Sequence, residues 1–189
     1  LPLVGLLTWA ALRNVSETGT GQTRFVSEFS DAVIDSLDGR EWIVSDGVLD
    51  NHLLLAANRK DIPLRVINLA AGRSSVYLDL LASQFEEPRM QNLAKIGISA
   101  LLSEWMRTDP EVHNKLAVLS MPDIWTQGGY RAVPNKLVFF GTKDISTQDL
   151  DSLVSDHRAF WKELEGVLKT AVSVRGDNPW FAWGRRHAG

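Results

Sequence analysis

One stretch, Glu41-Trp42-Ile43-Val44-Ser45-Asp46-Gly47-Val48-Leu49-Asp50-Asn51, limits most tightly what this chain can fold into. Trp42 to Ser45 is an apolar run of strand length, and its aromatic and β-branched side chains suit a pleated, buried surface. Ser-Asp-Gly then supplies turn chemistry, and an apolar-rich segment beginning at Val48 predicts a helix. A buried strand, a tight turn and a helix make the opening unit of an α/β sheet. In open sheets of that kind ligands bind outside the carboxyl ends of the strands.

The flanking chain repeats the alternation. Phe25, Val26, Phe29, Ala32, Val33 and Leu37 recur at helical spacing, with Glu28, Asp31, Asp35 and Asp38 between them and Gly39 as a stop. Residues 48–58 are apolar on nearly every side, which predicts a largely buried helix. Pro63 introduces a second strand over 64–69, and a loop over 70–75 leads to a helix over 76–82. Pro88 precedes a longer helix, about 90–106. Asp109-Pro110-Glu111 resembles an N-cap with proline at the first helical position, so a short helix to about Lys115 follows. Residues 116–120 and 136–140 predict a third and a fourth strand, with 121–125 as loop and 131–133 as a small antiparallel addition. The last helix starts at Ser146 or Thr147 and carries Leu150, Leu153, Val154, His157, Phe160, Trp161, Leu164, Val167, Leu168 and Ala171 at spacings of three and four.

The expected fold class is therefore α/β, a three-layer, Rossmann-like arrangement. It has a mainly parallel sheet of about four to five strands and helices on both faces. The expected organisation is an apolar segment and loop (1–22), a single α/β domain (23–175) and an aromatic-basic tail (176–189).

Composition narrows the partners. A net charge of -3 with a pI near 5.8 leaves no basic excess for phosphates, so nucleic acid is not an expected partner. The chain has no cysteine, which excludes disulfides and thiolate chemistry. No apolar run reaches the roughly 20 residues that span a bilayer. Residues 1–12 nonetheless carry no charge before Arg13, as the end of a longer hydrophobic segment would, or as an N-terminal element docked on the core would. Asn14-Val15-Ser16 matches a glycosylation sequon, a pattern short enough to arise by chance.

If all strands run parallel, four loops share one edge. They contribute Ser45, Asp46 and Gly47, then Gly72, Arg73, Ser74 and Ser75, then Asp123, and finally Gly141, Thr142, Lys143 and Asp144. Ser45, Asp46, Gly72, Arg73, Ser74 and Asp123 are the expected ligand-binding residues. Gly72 permits close backbone approach, Ser74 and Ser75 can cap the next helix, and Arg73 stands beside the free amides, which suits an anion. A plain helix cap with a solvated arginine explains the same residues. Asp46 and Asp50 share a helix face and could hold a divalent ion with Asp123. Helix-start chemistry, with Asp46 as the cap and Asp50 in the first turn, explains them with fewer assumptions, so no metal is expected.

Asp149-Leu150-Asp151 spells the acidic motif of many glycosyltransferases, but at a helix start such residues are expected anyway. His52 and His157 fall on apolar stretches; His113 and His187 fall on exposed ones. No zinc, nucleophile-elbow or Walker motif occurs, although Ser45 follows a strand as an elbow serine would. No catalytic residue and no cofactor are assigned. Trp180 and Trp183 with Arg185 and Arg186 make a patch suited to a protein partner or a membrane interface, or to packing on the domain itself.

Trp42 to Gly47 with Asp50-Asn51-His52, the run Leu64-Arg65-Val66-Ile67-Asn68, and the closing Trp183-Gly184-Arg185-Arg186-His187-Ala188-Gly189 carry a family likeness. From about Gly39 on, the chain resembles the soluble Rossmann-like segment of bacterial polytopic inner-membrane proteins. Those proteins have membrane spans before the segment and tetratricopeptide repeats after it. The resemblance implies a soluble, extracytoplasmic domain of a membrane-associated protein, with the rest of its own longer chain as partner. It supplies no catalytic residues, and no 34-residue period is visible within the chain itself. The expectation is a binding or assembly module without catalysis of its own. The alternative is a domain that binds or transforms a phosphorylated or sugar-nucleotide ligand at the strand ends, and a hydrolase using Ser45 is a remote third.

Overall fold

Every apolar run expected to form a strand does so. The computed structural model describes residues 20–144 and 147–173. The apolar start, the Asn14 sequon, Ser146 and the Trp180, Trp183, Arg185, Arg186 patch lie outside the described residues. The elements are α1 (Thr20–Asp35), β1 (Trp42–Ser45), α2 (Asp50–Arg59), β2 (Arg65–Asn68), α3 (Ser75–Ala82), α4 (Pro88–Ile96), α5 (Ile98–Thr108), α6 (Val112–Lys115), β3 (Leu116–Val118), α7 (Asp123–Gln127), β4 (Arg131–Asn135), β5 (Val138–Thr142) and α8 (Thr147–Ser173).

Two compact units divide the chain, residues 1–29 with 162–189, and residues 30–161. In the first, Phe25 and Phe29 bring their rings to 5.8 Å, and Phe25, Val26, Phe29 and Leu164 are buried. The sheet, the cavities and the polar clusters discussed below all belong to the second.

The fold is α/β with one five-stranded mixed sheet in the order β2-β1-β3-β5-β4. β1 pairs in parallel with β2 (Ser45 opposite Asn68) and with β3 (Val44 opposite Val118). β5 is antiparallel to β3 and to β4. This corrects the expectation that the fourth strand continues a parallel sheet. Asn135 pairs with Val138, so only Lys136 and Leu137 join β4 to β5, and a two-residue loop can only reverse the chain. Lys136 takes the positive φ, 56°, that such a loop needs at its first position. β4 runs in the direction of β3 and β5 returns between them, so Gly141, Thr142, Lys143 and Asp144 run toward the amino-terminal edge of β1, β2 and β3. They do not share an edge with Ser45 and Asp123.

Three other expectations change. The long helix over 90–106 is two helices, because Gly97 adopts φ 150°, ψ 159°, which ends α4 and starts α5 in a new direction. Residues 123–127, expected as loop, form the short helix α7. The α2 segment is not largely buried: it buries Leu53, Ala56 and Ala57, while Leu54 and Leu55 are 43% and 58% exposed.

On one face of the sheet, Trp42, Val44, Ile67, Leu116 and Val118 join a buried cluster. It includes Leu81, Met90, Ile98, Leu101, Trp105 and Met106 of α3, α4 and α5 and Trp125 of α7. The period-two alternation of strands sends Ile43, Ser45 and Ala117 to the other face, and all three are fully buried. A parallel strand covered on both sides has the continuous apolar sequence from which β1 was recognised.

Candidate functional site

At the carboxyl ends of β1 and β2 the structure builds a polar knot. Ser45 ends β1 fully buried, and its hydroxyl donates to the Asp50 carboxylate while accepting from the Gly47 amide at 3.1 Å. Asp50, in the first turn of α2, also receives a side-chain hydrogen bond from Asn68, the last residue of β2. Asn68 in turn accepts from the Ala71 amide at 2.9 Å, and its own amide donates to the Tyr77 hydroxyl at 2.7 Å. Tyr77 donates onward to the Val66 carbonyl at 3.2 Å. Burial pushes the Asp50 carboxyl above its usual range, against the hydrogen bonds from Ser45 and Asn68 and with a push from nearby Asp46.

The knot stitches β1, α2, β2 and α3 together, and its members spend their polar atoms on one another. Ser45 is fully buried, its hydroxyl proton goes to the Asp50 carboxylate, and no histidine stands among its hydrogen-bond partners in the described residues. Asp46 accepts from the Val48 amide at 3.1 Å, which shapes the turn; α2 begins four residues later, behind Leu49, so Asp46 is not its cap. Gly47 has φ 91°, and a Cβ there would stand 2.8 Å from both polar atoms of Asn68. Gly47→Ala should therefore cost about 1–3 kcal/mol through backbone strain and loss of the Asn68 contacts, measured as a lower urea midpoint at unchanged m-value. A change within error would show that the turn relaxes freely.

The other expected ligand-binding residues do not converge with these. Ser74 caps α3, accepting from the Tyr77 amide at 3.3 Å, while Arg73 and Asp123 are exposed. Among the described residues no three His, Asp or Glu side chains gather for a metal, so Asp46, Asp50 and Asp123 form no triad. Two cavities open at this edge. One of about 450 Å³ is lined by Leu69, Gly72 and residues 96–100; one of about 160 Å³ lies between Leu69, α5 and α7. Of the six expected residues, Gly72 alone lines either. His157 is half-buried and accepts from Trp161 Nε1 at 2.6 Å, and burial lowers its pKa, which favours the neutral ring. Its role is packing.

A recess of about 740 Å³ lies at the opposite, amino-terminal edge, where no site was expected from the residues alone. Trp42 begins β1, Phe85 sits between α3 and α4, and Trp105 lies late in α5. Trp42 stacks on Phe85 (4.7 Å, 22°), and Trp105 meets both rings edge-on at 5.2 and 5.4 Å. The Arg65 guanidinium stands over Trp42, 5.2 Å from the ring centre. At one end Asp109 accepts from Trp105 Nε1 at 3.1 Å and from Lys115 at 2.7 Å. Burial alone would raise the Asp109 carboxyl, but the hydrogen bonds from Lys115, Trp105 and the Glu111 amide outweigh it and hold the pKa down.

Trp42, Phe85 and Trp105 are 43 and 20 positions apart, with no shared motif. The sequence marks Trp42 and Trp105 only as core positions, which they are. Asn68 left one usable signal: a polar residue ending an otherwise apolar strand, as Ser45 does.

Compared with protein-family models, with curated proteins and with solved structures, the chain finds no match.

Proposed function

We propose that this chain is an α/β binding module, without a catalytic centre of its own, whose ligand surface is the groove at the amino-terminal edge of the sheet. The groove itself carries the reading. It has the volume of a small-ligand or peptide site, a wall backed by Trp42, Phe85 and Trp105, and a polar rim, the composition such sites share. Of the residues expected to bind at the opposite edge, Ser45, Asp46 and Ser74 are engaged in the knot, a turn and a helix cap, and Arg73 and Asp123 are exposed without converging on them. A three-layer, Rossmann-like architecture belongs to the same proposal, supported by the parallel β2-β1-β3 core and by the burial of its strands on both sides. So does the context implied by the family resemblance: a membrane-anchored bacterial protein with this module outside the cytoplasm and helical repeats after it. Among the described residues no helix is long and apolar enough to cross a membrane, so the anchor in this proposal lies outside the described residues.

The test is an amide chemical-shift screen of the labelled protein against small aromatic and charged fragments. Hits should move amides of residues 84–90 and 108–115 together. Hits confined to residues 69–75 and 96–100 would reject the groove and favour the second reading, a phosphorylated or sugar-nucleotide ligand at the carboxyl edge. One observation favours that alternative: α5 starts at Gly97 with no side-chain cap, and its first turn lines the 450 Å³ cavity beside Gly72.

A further inference from the structure

We infer that the occupant of the amino-edge groove is a peptide segment presenting an arginine side chain, an inference that rests on the groove being the binding surface. The rim is electrostatically unbalanced. Its cations are engaged: Lys115 with Asp109, Arg89 with Glu104, and Arg65 against the Trp42 ring. Three exposed carboxylates of the rim, Glu41, Glu86 and Glu87, have no paired cation among the described residues. In the wall, Gln84 Oε1 is buried and accepts no hydrogen bond there.

Exposed carboxylates without a cation, beside an aromatic wall, call for a flat cation rich in donors. Guanidinium fits on each count. It stacks on indole, forms forked hydrogen bonds to carboxylates, and sheds water more readily than an ammonium. Trp42 is 4% exposed with Arg65 over its ring, so an incoming guanidinium reaches the indole by displacing Arg65 and packs beside half-buried Phe85. The recess, about 740 Å³, is larger than one side chain, so it has room for the flanking backbone of a peptide. An incoming arginine competes with Arg65 for the ring, so Arg65→Ala should strengthen binding.

The probes are capped Gly-Gly-Arg-Gly-Gly, the same peptide with citrulline, lysine or glutamate in place of arginine, and free arginine, each titrated against the labelled protein. The arginine peptide should move the amides of residues 84–90 and weaken as salt rises. The citrulline peptide, equal in shape but uncharged, should bind at least about ten-fold more weakly, as should the arginine peptide to the triple variant E41Q, E86Q, E87Q. All three glutamates are exposed, so these substitutions spare the core, and an unchanged amide spectrum outside the groove verifies it. Citrulline, lysine or glutamate peptides binding the groove as tightly would overturn the arginine assignment and leave the groove reading standing. Free arginine binding as well as the peptide would overturn the peptide. If neither these probes nor the fragments move groove amides, both readings fall.

Discussion

Trp125→Ala should destabilise the domain by about 4 kcal/mol, near the upper end for removal of a buried aromatic side chain. Trp125 is fully buried in α7, a helix of only five residues that cannot hold itself by hydrogen bonding. Its indole N–H donates to the Phe139 carbonyl at 3.0 Å, and its ring meets Tyr130 at 5.5 Å. The other side of the ring lies so close to Gly141 of β5 that a Cβ there would collide with it. One side chain thus fastens α7 to the reversed strand. Its loss removes a large apolar area from the core and leaves a cavity between the two elements it joins. Against a total of about 5–15 kcal/mol for a typical domain, this is a large fraction. Urea unfolding followed by far-ultraviolet circular dichroism checks it, and a loss below about 1.5 kcal/mol would show that α7 repacks without the indole. Gly141→Ala should be destabilising through the same contact, from the opposite partner.

Asp50 gives the second large effect, and here two substitutions diverge. Asp50→Ala removes the acceptor of a fully buried serine hydroxyl and the partner of Asn68, and should cost about 2–3 kcal/mol. Asp50→Asn keeps an oxygen for Ser45 and removes the buried charge, so it should match or exceed the wild type at neutral pH. The pH dependence follows from the direction of the shift. The folded Asp50 carboxyl titrates above its unfolded counterpart, so the native state holds the proton more tightly. Its contribution to stability is fully present below the unfolded value and is lost as pH rises through the raised folded value. Asp109, held low by Lys115 and Trp105, acts with the opposite sign: its contribution is lost as pH falls through its lowered value. The difference between wild type and Asp50→Asn cancels the Asp109 part and isolates Asp50. Parallel stability curves for the two proteins through the acid range would contradict the assignment of the raised group.

Local chemistry made several elements readable in advance. Trp42 to Ser45, Arg65 to Asn68 and Leu116 to Val118 are short apolar runs bounded by turn residues, and each forms the expected strand. The last helix declared itself by spacing over more than twenty residues. The errors came where a local pattern was compatible with two geometries. Residues 90–106 keep helical periodicity across Gly97, and periodicity does not report that one glycine turns the chain. Val138 to Phe140 has the same strand signature whether it runs with or against β3. β4 runs in the direction of β3, so the two-residue hairpin turns β5 against both, and that shifted one of four anticipated site loops to the other edge.

The candidate sites divide the same way. Ser45, Asp46, Ser74 and Asp123 were recognisable as residues that follow strands or open helices, because turns and caps are made within a few residues. What those side chains do there was not recognisable. Ser45 meets Asp50 and Asn68 only because β1 and β2 pair with Ser45 opposite Asn68, and pairing register is a property of two segments twenty residues apart. The sequence alone determined the α/β class, the positions of the strands β1, β2 and β3 and the exclusion of thiolate chemistry, since propensity, period and composition are local quantities. Only the tertiary structure decided the direction of β5, the polar knot and the groove over Trp42, Phe85 and Trp105. Each of these joins groups distant along the chain, and nothing in the local free energy of any one segment records which others it will meet.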